Sequence, residues 1–126
     1  MTVDDFRRIA LGIPGALEST HMAHPDFRVR GRIFATLAYP TQAWGMVKLT
    51  PEQQRAFVLA APSAFVPVKG AWGEKGATSV RLAAAPEELV HEALLAASGN
   101  IPDGRRKTPV KKTPRKSQSK KAAPRR

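Results

Sequence analysis

Between Pro25 and Leu37 the chain reads Pro-Asp-Phe-Arg-Val-Arg-Gly-Arg-Ile-Phe-Ala-Thr-Leu, two runs of β-branched and aromatic residues that meet at Arg30-Gly31. Such runs around a glycine corner mark a tight hairpin, because central residues with positive φ reverse the chain in step with strand twist. This stretch commits the chain to antiparallel pairing. Two registers are compatible with it. If Arg30-Gly31 is a two-residue loop, Val29 faces Arg32 and Phe27 faces Phe34. If the loop is Arg30-Gly31-Arg32, then Phe27, Val29, Ile33, Ala35 and Leu37 share one face. In both, Arg28, Arg30 and Arg32 surround the bend, either as the solvated outer face of a strand pair or as a basic binding tip.

The remaining pattern supplies helices to cover such a sheet. Thr2 and Asp5 have the spacing of a capping box, and Val3, Phe6, Ile9 and Ala10 recur at helical period, which predicts a helix over 2–11 closed by Gly12 and Pro14-Gly15. Leu17 to Ala23 reads as a first strand, followed by a turn at His24-Pro25-Asp26. Trp44 to Leu49 alternates: Trp44, Met46 and Lys48 lie on one side, Gly45, Val47 and Leu49 on the other. Thr50-Pro51-Glu52-Gln53 starts a second helix expected to bury Phe57, with Ala56 and Ala60. Ala64 to Val68 and Thr78 to Leu82 read as strands around a glycine-rich stretch, Lys69 to Gly76, read as a flexible loop. Pro86-Glu87-Glu88 opens a last helix with Leu89, Val90, Ala93, Leu94 and Ala97 as its buried stripe. The expected fold class is α+β: an antiparallel sheet of about five strands with helices on one face, in the order α-β3-α-β2-α.

Charge divides the chain in two. Residues 105–126 carry eleven of the 21 basic residues and no acid, whereas residues 1–104 balance ten basic against ten acidic residues. The whole net charge of +11 therefore sits on the last segment. From Ile101 onward apolar residues almost vanish, and a stretch unable to bury surface does not offset the entropy of ordering. We expect a folded domain over 1–100 and a disordered Lys/Arg/Pro-rich tail over 101–126. The tail contains two near copies, Arg106-Lys107-Thr108-Pro109 and Lys111-Lys112-Thr113-Pro114, similar to Pro-punctuated basic repeats of linker-histone-type tails.

Little in the sequence favours catalysis. There is no cysteine, so thiolate metal sites and disulfides are excluded. His21 and His24 fall on opposite faces of a strand and lack further ligands. Ser19, His21 and Asp26 have no nucleophile elbow or oxyanion turn. Gly70, Gly73 and Gly76 match neither nucleotide fingerprint. We expect no enzyme activity, no cofactor and no metal. Trp44 and Trp72 read as lids over the core edge or, if exposed, as stacking platforms for bases. No apolar run reaches the length of a signal peptide core or a membrane span, which points to a cytoplasmic protein without a membrane partner.

The folded part resembles the MmcQ/YjbR family over nearly all of residues 1–100. The resemblance is carried by Pro14-Gly15, by the Phe27 to Ala35 block with its basic residue after the turn glycine, by Val47-Lys48-Leu49 leading to Pro51-Glu52, and by Trp72-Gly73-Glu74-Lys75-Gly76 before Thr78 and Val80. It implies an α/β sandwich similar to the CyaY/frataxin-like fold and a DNA-binding role.

Together these readings predict a nucleoid-associated protein that binds duplex DNA largely without sequence preference. Binding would run through Arg28, Arg30 and Arg32 on the hairpin, Lys48, Lys69 and Lys75 elsewhere in the domain, and Arg105, Arg106, Lys107, Lys111, Lys112, Arg115, Lys116, Lys120, Lys121, Arg125 and Arg126 in the tail. The alternatives are an RNA-associated binder, and a small-molecule or protein-binding domain with a pocket between the sheet and Trp72 and the tail as accessory.

Overall fold

The computed structural model describes residues 1–21, 23–38 and 41–102. Helix α1 (Val3–Leu11) begins on a reciprocal cap: the Thr2 hydroxyl accepts from the Asp5 amide at 3.1 Å, and the Asp5 carboxylate accepts from the Thr2 amide at 2.9 Å. Two amides of the helix start are thereby satisfied, and Phe6, Ile9 and Ala10 turn inward. Four strands follow, β1 (Leu17–His21), β2 (His24–Val29), β3 (Arg32–Leu37) and β4 (Trp44–Lys48). The chain continues through α2 (Pro51–Ala60), β5 (Phe65–Pro67), α3 (Ala71–Glu74), β6 (Ala77–Arg81), a 3-10 turn at Leu82–Ala84 and α4 (Glu87–Gly99).

All strands join one antiparallel sheet ordered β1-β2-β3-β4-β6-β5. Helices α1, α2 and α4 cover one face of it. Phe6 of α1 lies 6.2 Å from Phe27, Phe57 of α2 lies 5.2 Å from Phe65, and α4 packs over β3 and β4. The α+β class stands, with six strands rather than about five and four strands rather than three between the first two helices. The extra helix is α3, inside the glycine-rich stretch.

Two local expectations need correction. The segment His24-Pro25-Asp26 does not turn: β2 starts at His24, Pro25 pairs with Thr20, and the reversal lies between His21 and His24, with Ala23 at φ 68°. Proline is tolerated there because it sits at the strand start, before pairing with β3 begins at Asp26. Nor is the glycine-rich stretch a flexible loop. A Cβ on Gly73 would lie 1.6 Å from the Val68 carbonyl oxygen, and one on Gly76 would lie 1.9 Å from that of Leu49. These glycines permit backbones to touch. The buried Gln54 amide of α2 then donates to the carbonyls of Gly73 and Ala77, both at 3.0 Å, and ties α3 to the sheet end. The inward residue of α2 is accordingly Gln54, while Phe57 is half-buried and Ala56 and Ala60 are exposed.

The hairpin combines both registers. Val29 pairs with Arg32 across a two-residue loop, with Arg30 at φ 53° and Gly31 at φ 80°. Arg28 pairs with Ile33, but Phe27 pairs with Ala35, so Phe34 is an extra residue in a β-bulge. The bulge sends Phe34 and Ala35 both into the core. Phe27 thus shares its face with Ala35 and Leu37, as the longer loop would have it, while Ile33 goes to the other side.

Candidate nucleic-acid interface

The three hairpin arginines have three different environments. Arg28 projects from the face of the sheet that the helices leave uncovered and donates to both oxygens of Asp26, at 2.8 and 3.1 Å. The Asp26 side chain is 0% exposed and that of Arg28 is 33% exposed. The bond to Asp26 raises the guanidinium pKa above its ordinary value, with burial opposing it. Arg30 reaches back from the loop: its Nε donates to the Pro102 carbonyl at 2.9 Å and its Nη2 to the Ile101 carbonyl at 2.8 Å. Arg32 is exposed and makes no ion pair among the described residues.

Arg30 fixes where the chain leaves the domain. Ile101 packs, partly buried, against the core. Asn100 donates to the Lys48 carbonyl at 3.3 Å and to Gln53 Oε1 at 2.8 Å, the same glutamine that completes the cap of α2 with Thr50. The described chain therefore ends at the hairpin tip, three residues ahead of Arg105. The expected contacts Arg105, Arg106, Lys107, Lys111, Lys112, Arg115, Lys116, Lys120, Lys121, Arg125 and Arg126 lie outside the described residues, as does the expected tail disorder.

The uncovered face also carries Lys48 and Arg81. Antiparallel pairing of β4 with β6 sets Trp44 opposite Arg81, Met46 opposite Ser79 and Lys48 opposite Ala77. The alternation read from Trp44, Met46 and Lys48 is realised, with all three half-buried on this side. The Arg81 guanidinium lies 4.6 Å from the Trp44 ring centroid, and Lys48 Nζ lies 5.4 Å from that of Trp72. Neither tryptophan belongs to the hydrophobic core, and Trp72 is 63% exposed. The lid reading therefore fails for Trp72. Lys69 and Lys75 are exposed on either side of α3. Among the described strand residues, the acid on this face is Asp26, which Arg28 neutralises.

The helix-covered side differs. There Arg7 pairs with Asp4 and Glu18, and Arg8 with Asp5 and Glu87, at 2.9 to 3.5 Å. The backbone amide of Thr2 is the main cause that holds the Asp5 carboxyl below its ordinary value, aided by the Thr2 hydroxyl and by Arg8. A shallow groove of about 370 Å³ between α1 and α4 is lined by Arg8, Ile9, Gly12, Glu87, Glu88 and His91. Among the described residues no group of three or more His, Asp or Glu is placed to hold a metal ion, and no helix is long and apolar enough to cross a membrane.

Sequence reasoning missed Gln54, Asn100 and Arg81. Arg81 alone carried a usable signal, as a cation in a strand able to pair with that of Trp44.

Comparison with known proteins relates the chain to a family and to a solved structure. The family model described as YjbR matches residues 11–97. The crystal structure of Deinococcus radiodurans protein DR2400, carrying the DUF419 domain, is similar with a TM-score of 0.62 and 25% sequence identity, over 76% of this chain and 75% of that one. No curated protein matches.

Proposed function

This chain belongs to the YjbR family, and on that premise we propose that it is a binding protein for nucleic acid, holding duplex DNA by polyanion attraction rather than by reading sequence. The observation that carries the reading is the pair of bonds from Arg30 to the Ile101 and Pro102 carbonyls. They hold the last described residues at the corner that also presents Arg32, three residues ahead of the eleven-cation segment in sequence. Tethered cations act at high effective concentration, so a weak contact at the corner and a nonspecific contact along the segment reinforce one another. Arg32 is the hairpin arginine left for a phosphate; Arg28 and Arg30 hold the scaffold that aims it.

Salt-titrated binding of the full-length chain to a short DNA duplex tests this. If six or more phosphates are neutralised, affinity should fall by about 10³-fold or more between 50 and 200 mM salt. A full-length variant with the eleven Lys and Arg of 105–126 replaced by Gln should lose most of that slope. Absence of binding to duplex DNA at 50 mM salt would overturn the reading.

A further inference from the structure

We propose that the uncovered face of the sheet is a second binding site, one that takes single-stranded nucleic acid by stacking unpaired bases on Trp44 and Trp72. The occupant is argued from charge and from rigidity. This face holds Lys48 and Arg81 with no ion-pair partner among the described residues, each instead lying over a tryptophan ring. A cation beside an exposed aromatic surface matches a ligand whose bases offer π-faces and whose backbone is anionic.

Rigidity makes the exposure of Trp72 informative. An indole left in water on a mobile loop would mean little. Here the helical turn that carries it is clamped by Gln54, which bonds the carbonyls of Gly73 and Ala77, and by the backbone contact that Gly73 permits with Val68. The ring is thus presented to solvent in a fixed place, at the cost of leaving apolar surface wet.

Spacing selects the form of the ligand. Trp44 and Lys48, the residue under Trp72, are four positions apart on β4, about 13 Å at roughly 3.3 Å per residue. A strand with splayed bases can reach both rings, with Met46 between them. A duplex cannot, because its base faces are stacked inside. The Lys48 end of this platform is also where Asn100 bonds the Lys48 carbonyl, close to where the described chain ends.

The site is separate from the polyanion contact proposed above and fails separately from it. The chain has two tryptophans, Trp44 on this face and Trp72 against Lys48 at its end, so intrinsic fluorescence of the full-length protein reports the site directly. The probes are twelve-residue oligothymidylate and oligouridylate, a DNA duplex of the same length, and inorganic polyphosphate, which carries charge without bases. Both oligonucleotides should quench the emission and polyphosphate should not. A preference between the two identifies DNA or RNA as the better ligand. Trp72→Leu should weaken oligonucleotide binding about 5- to 150-fold, the loss expected for one stacked base, and leave duplex affinity within about twofold. Arg81→Ala, an exposed substitution, should weaken it too. Equal quenching by polyphosphate, or oligonucleotide affinity unchanged in Trp72→Leu, would overturn the site while leaving the duplex reading intact. Loss of duplex binding with retained base-dependent quenching would do the reverse.

Discussion

Arg28 aside, the two faces of the sheet handle cations in different ways. On the helix-covered side Arg7 and Arg8 are outnumbered two to one by their partners Asp4, Asp5, Glu18 and Glu87, so their charge is more than cancelled there. On the other side Lys48 and Arg81 rest on tryptophan rings, which hold a cation without cancelling its charge. A domain whose first 104 residues balance to zero can therefore be one-sided. Net charge reports solubility and long-range attraction, whereas the arrangement of partners reports which surface a polyanion meets.

The largest test of this contrast compares one ion pair from each side. Arg28→Ala leaves the Asp26 carboxylate, wholly inaccessible to solvent, without its bidentate partner. Stranding a buried charge costs about 3 kcal/mol, at the low end of the usual range because Arg28 itself is partly exposed. Arg8→Ala removes only exposed pairs and should cost under about 1 kcal/mol. Urea unfolding of both variants measures the difference; equal losses would mean that Asp26 is solvated after all. Next comes Gly73→Ala, whose added methyl meets the Val68 carbonyl. Relieving that overlap by moving α3 should cost about 2 kcal/mol in the same experiment and shift the Trp72 emission, since the ring rides on that turn.

How far these features are legible in the sequence depends on whether their cause is a pattern or a meeting. Alternation around Trp44, Met46 and Lys48 is a pattern, and it places all three on the side where they are found. The caps at Thr2 and Thr50 are likewise local, each closed within three residues. Arg30 is different: its acceptors are main-chain carbonyls 71 and 72 positions away, and a carbonyl has no letter of its own. Gln54 looks like a solvent-facing helix residue until β6 and α3 arrive to take its amide protons. Gly73 carries the same letter whether it loosens a loop or admits a neighbouring backbone. The bulge at Phe34 is missed for a related reason: either regular register satisfies the hydrophobic pattern, and only core packing selects the irregular one.

A smaller effect separates the two arginines at the corner. Arg30→Ala removes two bonds to the Ile101 and Pro102 carbonyls and should cost about 1 kcal/mol of stability. Arg32→Ala should cost nothing measurable, because Arg32 is exposed and makes no ion pair among the described residues. In duplex binding the order reverses in kind. Arg32→Ala should reduce the salt slope by about 0.9, one phosphate contact, at every DNA sequence alike. Arg30→Ala keeps the charge of the following segment and should change mainly the affinity gained from holding it at the tip. Identical salt slopes for Arg32→Ala and the unaltered chain would remove Arg32 from the interface.

The smallest effect belongs to the helix-covered side and is read by pH. The folded carboxyl of Asp5 is held below its ordinary value of 3.8, first by the Thr2 amide. A lowered folded pKa means that the unfolded chain takes up a proton first as acid is added. The contribution of Asp5 to stability is therefore present in full well above pH 3.8 and fades as pH falls through the lower folded value. Arg28 has the opposite sign: its guanidinium is raised by the bond to Asp26, so its share is lost only as pH rises beyond the ordinary arginine range. Stability measured against pH for the unaltered chain and for Asp5→Asn should run parallel from neutrality to about pH 5, then converge as the carboxylate is protonated. Curves that stay parallel below pH 3 would show that the α1 cap does not depend on the charge of Asp5, leaving its hydrogen bonds alone to start the helix.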